Sequence, residues 1–109
     1  MQRISTTVVA LVGADAARRA HEVGAYANVL SVVPEDEGAL QRATTAWAGA
    51  TRSSRTYVVH DADPLAAVAH HWVALFDGTG LRGDLETAVV DVTARWRSRS
   101  VELPDYYLD

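Results

Sequence analysis

Val8-Val9-Ala10-Leu11-Val12-Gly13 is the stretch that decides the class of fold. A continuous apolar run ending at a glycine suits a strand covered on both faces, as in parallel sheets, whereas a half-solvated strand would alternate. The strand is expected to run from Ile4 to Val12, with Gly13 turning the chain. Asp15 to Val23 then reads as a short alanine-rich helix closed by Gly24 in the C′ position. A second buried strand, Val29-Leu30-Ser31-Val32-Val33, is stopped by Pro34. Glu35, Asp36 and Glu37 are expected on the first turn of the next helix, where the dipole favours negative charge. Leu40, Ala43, Trp47 and Ala50 recur at helical spacing along it.

Thr56 to His60 is the third strand. Asp63 followed by Pro64 supplies an N-cap side chain and a proline at the first helical position. Leu65, Val68, Ala69, Trp72 and Phe76 mark one face of the helix that follows. Asp77-Gly78-Thr79-Gly80 reads as a helix C-cap and the turn of an αα-hairpin. Leu81, Leu85, Ala88, Val89, Val92 and Trp96 form the apolar stripe of the last helix. Arg95, Arg97 and Arg99 complement the carboxyl end of its dipole.

The order β-α-β-α-β-α-α predicts an α/β fold with a small, mostly parallel three-stranded sheet, right-handed crossovers and helices on both faces. The first strand is expected at its centre. Residues 1–100 are expected to form a single compact domain, and residues 101–109 an aromatic and acidic C-terminal tail. Val101 to Leu103 offer a fourth, edge strand before Pro104 ends it. The expected core draws on every element, including Leu65, Val68, Trp72 and Phe76 of the third helix and Leu85, Val89, Val92 and Trp96 of the fourth.

Composition excludes more than it assigns. The chain has no lysine and no cysteine, and all ten of its formal cations are arginine. A P-loop and Schiff-base chemistry both need a lysine. Thiol nucleophiles, thiolate metal sites and disulfides need cysteine. A formal net charge of −4 argues against a sequence-independent grip on nucleic acid. No apolar run approaches the roughly 18 residues of a membrane span. Arg3 and the apolar stretch after it only loosely imitate a signal peptide, which Thr6 and Thr7 interrupt. With no cysteine to indicate an oxidising compartment, the expected location is the cytoplasm. Abundant alanine and arginine, with one asparagine and one isoleucine, point to a GC-rich bacterial genome.

Ligands of open parallel sheets bind beyond the carboxyl ends of the strands. There the sequence gathers Asp15, Glu35, Asp36, His60, Asp61 and Asp63. Asp15, Asp61 and His60 form the candidate metal set, suited to Mg²⁺ or Mn²⁺ bridging phosphoryl oxygens. Capping and dipole roles account for most of these carboxylates, and Asp61 alone lacks one. His70 and His71 are about 100° apart on a helix and cannot share an ion, and neither H-E-x-x-H nor G-x-G-x-x-G spacing occurs. The tail residues Leu103, Tyr106, Tyr107 and Leu108 are the candidate partner-binding set, being apolar or aromatic at a chain end that would usually fray. The expected function is a non-catalytic interaction or assembly module with a protein partner or self-association, and no cofactor. A small divalent-metal enzyme or phosphoryl-ligand binder is the alternative.

Overall fold

The computed structural model describes residues 6–109, so the start of the first strand at Ile4 lies outside the described residues. Strand β1 (Thr7–Leu11) is buried along almost its whole length, as its unbroken apolar run requires. It pairs in parallel with β3 (Tyr57–His60), which pairs in parallel with β2 (Val29–Val32). Val8 lies beside Val58 and Val58 beside Leu30, so one row of branched side chains crosses three strands. A fourth strand, β4 (Tyr106–Leu108), pairs in parallel with the other side of β1, with Tyr106 beside Val9. The sheet order is β2-β3-β1-β4, which makes β1 one of two interior strands. The tail does supply the fourth strand, but after Pro104 rather than before it. Val101 is instead a buried core residue, and of the tail Tyr106–Leu108 belong to the sheet.

Helix α1 (Ala16–Val23) packs Ala16, Ala20 and Val23 on one face of the sheet, over Val9, Leu11, Val29 and Val59. Helix α2 (Ala39–Arg52) packs Trp47 and Ala50 over Val8, Leu30, Val32 and Val58 on the other. Alternation along the strands assigns these two sets to opposite faces. Helix α2 buries three alanines, Ala43, Ala46 and Ala50, and also packs against the third helix of the chain.

Two local readings change. The acidic run lies in the loop before α2, which starts at Ala39 after Gly38 (φ 85°) and carries no acid in its first turn. Gly24 caps α1 in the right-handed region (φ −64°), so no left-handed turn requires it. Close packing does: a Cβ there would sit 2.7 Å from the Ser31 Cβ.

Helices α3 (Ala66–Phe76) and α4 (Arg82–Arg97) form the expected hairpin. Gly78 (φ 75°) closes α3 in a Schellman motif, its amide donating to the Leu75 carbonyl and that of Thr79 to Ala74. The same motif closes α4, with the Ser100 amide donating to the Arg95 carbonyl. There the left-handed residue is Arg99, at φ 64°. A side chain in that region costs roughly 1 kcal/mol or more relative to glycine. Arg99→Gly is therefore expected to raise stability by about 0.5–1 kcal/mol, a gain of several degrees in melting temperature. Unchanged or reduced stability by urea unfolding would contradict this.

The hairpin departs most from expectation. No residue of α3 or α4 is buried, and neither core cluster contains one. The helices pack on each other, and Arg95 of α4 donates to the Thr44 hydroxyl of α2 at 2.7 Å. Leu65, Trp72, Phe76, Val89 and Trp96 are thus surface residues, and Val68, Leu85 and Val92 are only half-buried. The molecule measures 45 × 33 × 22 Å with a radius of gyration of 14.3 Å. A compact chain of this length would have about 13 Å.

Candidate functional site

The chain leaves β1 toward the α1 face, whereas α3, which follows the neighbouring β3, packs against α2 on the other. The connections of the two strands must therefore diverge and open a crevice at the carboxyl ends, the topological switch point where such sheets bind ligands. A cavity of about 230 Å³ lies there, walled by Val12, Gly13 and Ala16 on one side and by Arg42, Asp61, Ala62 and Asp63 on the other. Gly13, at φ 107°, makes the turn over its rim, and the Asp109 carboxylate comes close to it.

Three acidic residues at this rim, Asp15, Asp61 and Asp63, are engaged within the protein, while Glu35 and Asp36 lie in the loop after β2, Glu35 exposed and Asp36 half-buried. Asp61 is nearly buried and accepts from Arg42 Nη2 at 2.6 Å. Arg42 also donates through Nε to the Pro34 carbonyl and through Nη1 to that of Asp61, so one guanidinium ties the loops after β2 and β3 together. Asp15 faces solvent and pairs with Arg18 at 2.8 Å. Asp63 accepts the Leu65 amide at 2.8 Å and leads into α3, which begins at Ala66, three residues after it. The same carboxylate oxygen accepts the Tyr107 hydroxyl at 2.8 Å. Loss of solvent around the phenol, followed by this bond and the Asp63 charge, pushes the Tyr107 pKa above the usual phenolic value.

His60 is buried, and its Nδ1 accepts the Ala62 amide at 3.0 Å. Burial lowers its pKa from 6.5 to about 4, against the opposing pull of Asp61 and Asp63, with Arg42 adding to the decrease. The imidazole is thus neutral at pH 7, with Nδ1 committed to the backbone. Asp15, Asp61 and His60 do not assemble into a metal site: among the described residues no group of three His, Cys, Asp or Glu could hold an ion. Arg42, which occupies Asp61, comes from a helix 19 residues earlier and carried no signal in the sequence.

The tail set is also placed. β4 is held by its pairing with β1 and by Asp105, whose carboxylate accepts the Val8 amide at 2.7 Å and whose amide donates to the Val8 carbonyl. Leu103, Tyr106, Tyr107 and Leu108 all keep substantial exposure at this edge of the sheet.

A second apolar surface lies on α3, a helix expected in the core. Nine of the eleven residues of α3 are apolar and none is charged. Its inward arc, including Ala67, Val68 and His71, lines a cavity of about 230 Å³ shared with α4 and with Leu40 of α2. Its outward arc carries Trp72, Val73 and Phe76, which are 53 %, 56 % and 75 % exposed. The Trp72 and Phe76 rings pack on each other at 5.2 Å, one turn apart. Leu81, in the connection to α4, is also exposed. No described helix is long and apolar enough to cross a membrane.

Comparison with known proteins adds no family. No protein-family model matches the chain, and neither the curated proteins nor the solved structures give a significant match.

Proposed function

We propose that this chain is a non-catalytic protein–protein interaction or assembly module that docks through the α3–α4 hairpin. The observation that carries the reading is the outward arc of α3, where a tryptophan, a valine and a phenylalanine stand uncovered on a helix without a charge. A helix apolar all round is normally enclosed. Contiguous exposed apolar surface of this kind marks interaction sites, and aromatic residues dominate the energetics of interfaces. The exposed edge residues Leu103, Tyr106, Tyr107 and Leu108 offer a second contact surface. The same reading places the module in the cytoplasm, on the ground that a chain without cysteine makes no use of an oxidising compartment.

Comparing what the tagged chain and its Trp72→Glu/Phe76→Glu variant retain from a cell extract tests the proposal. The parent should retain a protein, either another copy or a different chain, that the variant loses while keeping its far-ultraviolet circular dichroism. Equal retention by both, or none by either, would refute the reading.

The metal or phosphoryl alternative has one observation in its favour, the crevice at the switch point. Against it stands the Arg42 guanidinium on the Asp61 carboxylate. Titration with Mg²⁺, Mn²⁺ or EDTA is expected to leave the melting temperature unchanged. A ligand at 100 times its dissociation constant would add about 2.7 kcal/mol, moving the midpoint by roughly ten degrees. A shift of that size would put the alternative first.

A further inference from the structure

The geometry points to a second copy of this chain as the occupant of the α3 stripe, packed antiparallel about a two-fold axis near Trp72 and Val73. This rests on the reading of the hairpin as an interface and names its partner. Within the helix the stripe is divided by size: its first half carries the exposed Ala69, with the half-buried Ala66 at its border with the crevice and Leu65 just before the helix, and its second half carries Trp72, Val73 and Phe76. An isologous pairing lays the same patch against itself in reverse. The large half of each copy then falls on the small half of the other, with Phe76 over Ala69. Alternation of large and small side chains is what lets two helices approach to about 8–10 Å. No acid or arginine lies between residues 66 and 76, so the helices meet no like charge along their length, and their dipoles oppose.

The area suffices. An aromatic side chain carries roughly 150–250 Å², so the exposed parts of Trp72 and Phe76 give on the order of 250 Å². With Val73, Leu65 and the alanines the stripe reaches about 500 Å² per copy, and a pair buries about 1,000 Å², the threshold for a specific interface. An interface of that size fits reversible association in the micromolar range rather than an obligate dimer.

Sedimentation equilibrium of the full chain, over a wide range of concentration, tests the pairing. The parent should form a dimer and no larger species. Ala69→Trp should be monomeric, because the added indole fills the space that Phe76 enters. Ala69 is already exposed, so this variant should keep its fold. Val73→Cys reads the geometry independently: the chain has no other thiol, and two residues near the axis should join into a covalent dimer on mild oxidation. A cysteine at Ala25, exposed after α1, should not. A dimer that Ala69→Trp leaves intact or strengthens would overturn the antiparallel register. A parent monomeric at every concentration would overturn the self-pairing. In that case a Trp72→Glu/Phe76→Glu variant as stable as the parent shows the stripe to be surface, and the interaction reading survives. If that variant instead unfolds, the stripe is core and both fail.

Discussion

Arg42→Met is expected to destabilise the fold by about 3–5 kcal/mol, the cost of leaving one member of a desolvated ion pair without its partner. The Asp61 side chain is 9 % exposed and that of Arg42 27 %, so the pair is largely shielded from water. Arg42 also supplies donors to two loop carbonyls, those of Pro34 and Asp61, and these would be orphaned together. Against a total stability of 5–15 kcal/mol for a domain of this kind, such a loss approaches unfolding. Urea unfolding measures it directly. Arg42→Met/Asp61→Leu should recover much of the loss, since an apolar pair of similar volume is often no worse than a buried ion pair. A single-variant cost below 1 kcal/mol would mean that the pair is solvated and that the rim is not tied as described.

The second large effect is acid sensitivity through His60. Its pKa in the fold, about 4, lies below its ordinary value of 6.5. Between those two pH values the unfolded chain takes up a proton that the folded chain refuses. Stability from this residue is therefore fully present above pH 6.5 and falls as pH drops toward 4. At 1.36 kcal/mol for each pH unit between the two values, the loss totals about 3 kcal/mol. His60→Asn keeps an acceptor near the position of Nδ1 for the Ala62 amide but does not titrate. Unfolding free energies measured from pH 7 to pH 4 should fall less steeply in His60→Asn by about that amount. Parallel pH profiles for the two proteins would show the imidazole to be solvated.

Periodicity carried the sheet and failed at the hairpin. The apolar runs at Val8, Val29 and Val58 could be read as buried parallel strands because so continuous a pattern has few other uses. The glycine-rich turn at Gly78 announced its Schellman motif for the same local reason. The residues after β3 were legible as a rim, but the partner that engages Asp61 lies on α2, and no local pattern records such a contact. In α3 the spacing of Leu65, Trp72 and Phe76 marks an apolar face, but says nothing about whether anything in the same chain covers it. One clue was present: a sheet of so few strands has two faces to cover, and α1 and α2 already pack one each. Tyr106 to Leu108 failed as a strand signal because three residues at an edge carry no period.

Trp72→Glu/Phe76→Glu, unfolded by urea at a dilution where the chain is monomeric, decides whether the α3 stripe is surface or core. If the α3 stripe is surface kept for a partner, the variant matches the parent to within about 1 kcal/mol. A loss of 3–5 kcal/mol or more for burying charge at these positions would place the two aromatic side chains in the protein's own core, and the interaction module would have no docking face.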